Sequence, residues 1–306
     1  MNLIQFVIIL FYGIISVIFF LWKENKTYDK KKSLIIASSS TLFALLLGSF
    51  TSKLNKESFD VIASILGMIT NFYFTYNLSF GKLSIKKFIK SITAILIFLS
   101  SSIYQIIPIR LFGITEAMLT TKLGIYLTVF SDITVLTILV LLYYDDLKKG
   151  IMKAKENFNE FFDTSFKIWL FGFLGMVISN LIINLFFKEA VAGNENSVQS
   201  MIDVSPFIML GCAGVIAPII EELTFRQAFK DIFKHKLVFI LTSGIIFGGL
   251  HVISSITSLI DLVYLVPYCS LGFIFAMLYH KTGNIFSTIT AHSFHNTLAL
   301  LVYFIG

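Results

Sequence analysis

The chain has 306 residues, 56% of them hydrophobic and only 14% charged, with a mean hydropathy of +0.85. Soluble domains carry roughly 25% charged residues, so this composition excludes an ordinary soluble domain and points to a polytopic membrane protein. The formal net charge of +6 does not argue for nucleic-acid binding, because the lysines gather in short loops between apolar runs, the pattern that orients membrane spans.

Ten apolar segments are predicted as helices, each near the roughly 20 residues that a bilayer demands. They cover 3–22, 33–50, 61–80, 91–109, 123–144, 166–187, 206–225, 237–256, 262–280 and 285–305. The expected fold is all-α, a transmembrane helical bundle. The first segment has its positive charges behind it and no small-residue cleavage site, so it is expected to be a retained span rather than a signal peptide. The fourth ends near Pro108 and the ninth contains Pro267, which makes these two the least regular.

With the N-terminus outside, Lys53, Lys56, Arg110, Lys122 and Lys188 lie on the outer side and the other 19 of the 24 lysines and arginines on the inner side. That asymmetry predicts an even number of spans with both termini outside. Between the fifth and sixth spans, 145–165 mixes acids and lysines with Phe158, Phe161 and Phe162. It reads as an amphipathic interfacial helix and as the boundary between an N-terminal membrane region, 1–165, and a C-terminal one, 166–306. Asp132 stands alone within the fifth span. Cys212 and Cys269 lie in apolar runs without metal-ligand spacing and read as small buried residues.

The chemistry is concentrated after residue 205. Glu221 and Glu222 end an apolar run, and an ionisable residue at membrane depth is a functional-site hypothesis by default. Helical neighbours point about 100° apart, so the two carboxylates are expected to face differently. Glu222 and Arg226 are i,i+4 and can pair as structural support, an arrangement that exchanging the two residues should partly preserve. Glu221 is then left to face a water. His251 follows Gly244 and Gly248, a small-xxx-small pair that permits a close helix approach. His292 and Asn296 share a helical face, with His295 near it, whereas His235 and His280 sit at span ends and read as solvated.

Glu-Glu-x-x-x-Arg at 221–226, Phe-x-x-x-His at 247–251 and His-x-x-x-Asn at 292–296 together resemble the three-motif signature of the CPBP family. This is the CAAX protease and bacteriocin-processing family, also called Abi or type II CAAX endopeptidase-like. The resemblance covers about 205–306 and leaves 1–165 untouched. It implies an intramembrane endopeptidase with a C-terminal four-helix catalytic core. Glu221 with His251 would activate the attacking water, and His292 with Asn296 would stabilise the oxyanion. Peptide hydrolysis needs such a base and such preorganised donors.

The family is usually labelled as metalloproteases, and Glu221, His251 and His292 are the residues that would ligate a zinc ion with a position left for water. No His-Glu-x-x-His pair occurs, and the alternative is a metal-free site with Glu221 as the sole base, which is slightly favoured. The partners implied are the lipid bilayer and a membrane-embedded or lipid-anchored peptide or protein substrate, with no nucleic acid. Two other functions compete: a non-catalytic scaffold of the same family that regulates a membrane partner, and a proton-coupled transporter. The second would require repeats in both halves, and none is visible. The Lys-, Ile- and Phe-rich composition is that of a low-GC bacterium, which would place the chain in a bacterial plasma membrane. There the family's implied roles are bacteriocin processing, self-immunity or peptide-signal maturation.

Overall fold

The computed structural model describes residues 85–187, 193–233, 236–253 and 259–305. The expected spans 3–22, 33–50 and 61–80, their loops and His235 lie outside the described residues. The chain separates into two compact units, Met1–Ile85 and Lys86–Gly306. The helices and the site described below belong to the second unit.

Every described element is helical. The helices are α1 (Ile85–Leu99), α2 (Ser101–Tyr104), α3 (Ile106–Leu111), α4 (Thr121–Leu142), α5 (Tyr144–Glu156), α6 (Phe158–Phe186), α7 (Gly193–Val204), α8 (Pro206–Ile232), α9 (Lys236–Ile253), α10 (Leu265–Thr282) and α11 (Ile285–Ile305). Four stretches, Thr121–Leu142, Phe158–Phe186, Pro206–Ile232 and Asp261–Thr282, are long and apolar enough to cross a membrane. The protein is a multi-pass membrane protein.

The sequence-based boundaries of 123–144, 237–256 and 285–305 fall within three residues of the helices at those places. Two others need correction. The expected span 91–109 is broken: Lys86–Leu99 and Ser101–Leu111 meet at a bend of 60°. Ser100 sits at the break and turns its hydroxyl back onto the Ile97 carbonyl at 3.1 Å, a bond that competes with helical pairing. Pro108, farther on, has no N–H to donate. The amphipathic segment 145–165 is not one helix either. α5 ends at Glu156, and Phe158 begins a helix of 29 residues that runs without interruption across position 165.

The reason lies in the rings. Phe158, Phe162, Phe166, Trp169 and Phe173 stack in sequence along α6, with centroid separations of 6.2, 5.9, 5.6 and 5.2 Å. Their spacing of three or four residues keeps them on one helical face. That ladder belongs to the span rather than to the surface helix before it.

α8 is the helix the others surround. It packs against α4 on one side and against α9 and α11 on the others. α9 and α10 lie in close contact along their length, and the reason is glycine at both faces. A Cβ at Gly248 would stand 2.6 Å from the Cys269 backbone nitrogen, and one at Gly272 would stand 2.9 Å from the Gly244 Cα. The small-residue pair at 244 and 248 therefore does what its spacing predicts. Trp169, Leu271, Phe275, Leu278 and Ala291 form a core between α6, α10 and α11.

At one end of the bundle α5 docks on the α10–α11 turn. The Asn284 side-chain amide donates to the Gly150 carbonyl at 3.0 Å while its carbonyl oxygen accepts from the Phe286 N–H at 3.0 Å. Gly283 makes the turn itself, at φ +59°, a left-handed conformation that glycine adopts at little cost. This fastening fixes where α11, the carrier of His292, begins.

Candidate active site

α8 is not a uniform α-helix. It passes through two π-wound stretches, Cys212–Ile216 and Glu222–Gln227, on either side of Ala217–Glu221. Such stretches are frequent at functional sites, because the widened turn re-aims side chains and loosens carbonyls. Here each stretch carries one half of the site. The second begins at Glu222. The first frees the Ala213 carbonyl, which accepts from the Asn296 side-chain amide at 2.9 Å. Gly214 lets α11 come this close, since a Cβ there would touch the Thr297 hydroxyl at 3.0 Å.

His292 stands between the two carboxylates. Its Nδ1 lies 2.9 Å from Glu222 Oε1, and its Nε2 lies 3.7 Å from Glu221 Oε2. The two adjacent carboxylates face differently, as helical geometry predicts, and a single imidazole with its two nitrogens on opposite edges reaches both. The ring is held flat against Phe275 at 4.8 Å and edge-on to Phe247 at 5.6 Å.

Glu222 and Arg226 are both fully buried, with Nε 3.3 Å from Oε2. The pairing expected from i,i+4 spacing is present although the backbone there is π-wound. Neither terminal guanidinium nitrogen of Arg226 has a hydrogen-bond partner among the described residues. The guanidinium instead lies over the Phe247 ring at 4.3 Å from its centroid, an arrangement in which the ring face attracts the cation. Glu222 therefore serves Arg226 and His292 at once. Glu221 keeps 17% of its side-chain surface exposed and its Oε2 has no hydrogen-bond partner among the described residues. Of the two carboxylates it is the one that reaches the surface.

His251 lies beside this cluster. Its ring is 4.5 Å from Phe247 and stacks on Tyr268 at 5.1 Å, and its Nδ1 engages the Phe247 carbonyl at 2.8 Å. Phe247 thus touches His251, His292 and Arg226. His295 is buried and faces away, toward Phe173 at 6.1 Å. His280 pairs with Lys230 Nζ at 2.7 Å instead of being simply solvated.

Glu221, His251 and His292 are not gathered as a zinc-ligand set. Among the described residues no three His, Cys, Asp or Glu side chains converge so as to hold a metal ion. Glu222 engages Nδ1 of His292 and the Phe247 carbonyl engages Nδ1 of His251, which leaves Nε2 of each ring unused by these bonds.

Sequence reasoning missed several supports. Phe275 and Tyr268 carry no motif. Tyr279 donates to the Gln227 side-chain carbonyl at 2.6 Å, and the Ser243 hydroxyl donates to the Phe225 carbonyl at 2.8 Å. These two bonds fasten the π-wound stretch of α8 to α10 and α9.

Residues 203–298, which contain this whole cluster, match the family described as type II CAAX prenyl endopeptidase Rce1-like. The similarity to that family covers the C-terminal region of the chain. Similar proteins include the "Putative membrane peptidase YdiL" of Bacillus subtilis (strain 168), 29% identical over 122 residues, which is 38% of this chain and 47% of that protein. The UPF0177 protein YbdI of Lactococcus lactis subsp. lactis (strain IL1403) is 27% identical over 186 residues, 58% of this chain and 96% of that one. UPF0177 protein YxdF of the same strain is 28% identical over 162 residues, 51% and 86%. The chain spans about half the length of YdiL. No solved structure matches.

Proposed function

We propose that this protein is an intramembrane endopeptidase that hydrolyses peptide bonds of a membrane-embedded or lipid-anchored protein or peptide. The observation that carries the reading is the placing of His292 between Glu221 and Glu222. A separation of 3.7 Å between Glu221 Oε2 and His292 Nε2 is too long for a direct hydrogen bond, so both atoms keep bonding capacity for a water placed beside them.

The chemistry then runs through this chain's own groups. Glu221 takes a proton from the water as its oxygen attacks the scissile carbonyl. The carbonyl oxygen becomes an oxyanion; with His292 as the imidazolium, Nδ1–H donates to Glu222 while Nε2–H joins the second N–H of Asn296 as the oxyanion's donors. Glu221 returns the proton to the leaving amine. His251 orients the water from beside Phe247. Glu222 holds His292 by Nδ1, which fixes the ring while leaving Nε2 toward the substrate side. Arg226 holds Glu222.

The topology and setting belong to the same reading. Ten spans with both termini outside follow from the distribution of lysine and arginine, with 1–165 as the N-terminal region and 166–306 as the protease core. Relatives from Bacillus and Lactococcus support a bacterial plasma membrane, where peptide-signal maturation or bacteriocin processing and immunity would supply substrates.

The test is direct. Purified protein in lipid is incubated with membrane-anchored peptides, and new termini are mapped by mass spectrometry. Cleavage by wild type that is lost in His292→Ala supports the endopeptidase. Wild-type protein that produces no new termini with any peptide in the set, yet retains a membrane partner, supports the scaffold instead.

A further inference from the structure

A cavity of about 450 Å³ has neither Glu221 nor His292 in its lining. It is lined by Ile168 of α6, Lys236 at the start of α9, and Met277, His280 and Lys281 in the last turns of α10. We infer that this cavity is a binding site for an anionic phospholipid, with the phosphate on Lys236, Lys281 and His280 and the first acyl methylenes against Ile168 and Met277.

The position fits such a ligand. Lys236 opens its helix and Lys281 all but closes another, so both mark the end of a span, where apolar helix gives way to water. Ile168 follows Lys167 on the long helix α6. The cavity thus joins an apolar wall to a cationic rim at the depth where a headgroup meets its acyl chains. Basic pockets between spans are the sites at which acidic lipid headgroups bind.

The charges fit as well. No acidic side chain lines the cavity, and among the described residues neither Lys236 nor Lys281 has an ion-pair partner. Asp231, a few residues before Lys236, is already engaged by Lys87 at 3.2 Å and by Gln227 at 3.3 Å. His280 is held in place: Lys230 Nζ lies 2.7 Å from its Nδ1 and 5.0 Å from the Phe239 ring centroid. An ammonium group can only donate, so Nδ1 accepts and the ring proton sits on Nε2. His280 is left with an N–H donor. A zwitterionic lipid would bring its own cation against these groups, whereas an anionic one brings a phosphate with no cation attached.

The experiment uses the full chain purified in a neutral detergent. Phosphatidylglycerol and phosphatidylcholine with identical acyl chains are titrated in, and retained lipid is counted by native mass spectrometry. Inorganic phosphate forms a third arm. We expect one phosphatidylglycerol per chain, retained at least roughly 10-fold more tightly than phosphatidylcholine. Lys236→Gln with Lys281→Gln should weaken it by a similar factor, and Lys236→Arg with Lys281→Arg should retain it. Lys148→Gln with Lys149→Gln, on an exposed surface, should leave it unchanged. Equal retention of the two lipids would overturn the inference, as would an equal loss in the Lys148/Lys149 variant, which would mean bulk charge attraction. Inorganic phosphate binding as tightly as the lipid would make this a soluble-anion site and would also overturn it. The comparison of lipids on wild type needs no variant and stands even if one fails to fold.

Discussion

Glu222 and His292 are hydrogen-bonded at 2.9 Å across two helices, 70 residues apart in the chain. With Arg226 beside it, Glu222 acts as a carboxylate and accepts, so the proton on that side of the ring belongs to Nδ1. The bond determines which nitrogen is turned toward Glu221. It also gives Glu222 two partners, where the spacing of its motif accounts for one.

The first prediction follows from that double duty. Exchanging the pair, Glu222→Arg with Arg226→Glu, should not restore folding or activity, because an arginine at 222 would confront His292. Thermal unfolding in detergent should find the exchanged protein no more stable than either single variant. Recovery of more than half the loss would return Glu222 to the role of a simple ion-pair partner.

Burial separates the two carboxylates energetically. Glu222 is fully buried with Arg226, and removing one member of such a pair typically costs about 3–5 kcal/mol. Glu221 is partly exposed and its Oε2 has no hydrogen-bond partner among the described residues. Glu222→Ala should therefore lower the unfolding temperature much more than Glu221→Ala does, and equal losses would contradict the assignment.

The contact between α9 and α10 leaves no room at Gly248, where an added Cβ would meet the Cys269 backbone. Backbone cannot rotate aside as a side chain can. Gly248→Val should destabilise by about 1–3 kcal/mol or more, and it should also lower activity by displacing His251, three residues away. Gly175, whose Cβ would meet nothing within 4 Å, is the control, and Gly175→Ala should be nearly silent.

Much of this cluster is visible in the sequence because ionisable and amide side chains stand out inside apolar runs. Glu221, Glu222, Arg226, His292 and Asn296 are legible for that reason, and Gly244 and Gly248 are legible because small residues one turn apart license close packing. How the cluster is held is not legible. Phe247 is marked by the Phe-x-x-x-His motif, but its packing on His292 is not, and Phe275, which completes the frame, is one among 33 phenylalanines with nothing in its spacing to mark it. The π-wound turns at Cys212–Ile216 and Glu222–Gln227 carry no signal either, since the same residues also suit an α-helix. α7 has no apolar run to announce it, because its 12 residues are mostly polar, and its place against α4 and α8 rests on a few apolar contacts such as Ile202. The break at Ser100 is hidden by apolar residues that continue on both sides of it.

Asn296 has a divided role. One of its amide hydrogens is used on the Ala213 carbonyl, and in the proposed mechanism the other donates to the oxyanion. Asn296→Ala should lower kcat by about 10²–10³-fold with little change in KM, because the lost interaction forms only in the transition state. A rise in KM at unchanged kcat would assign Asn296 to substrate binding instead.

Glu221 as the base that activates water is the centre of the proposed mechanism. The most direct measurement is single-turnover cleavage of a membrane-anchored peptide by Glu221→Gln in lipid bilayers, with substrate binding followed in the same samples. Glutamine keeps the shape of the side chain and removes its ability to take the proton. Binding should persist at the wild-type level while cleavage falls to background. Cleavage at a rate near that of wild type would contradict the assignment of Glu221 as the base.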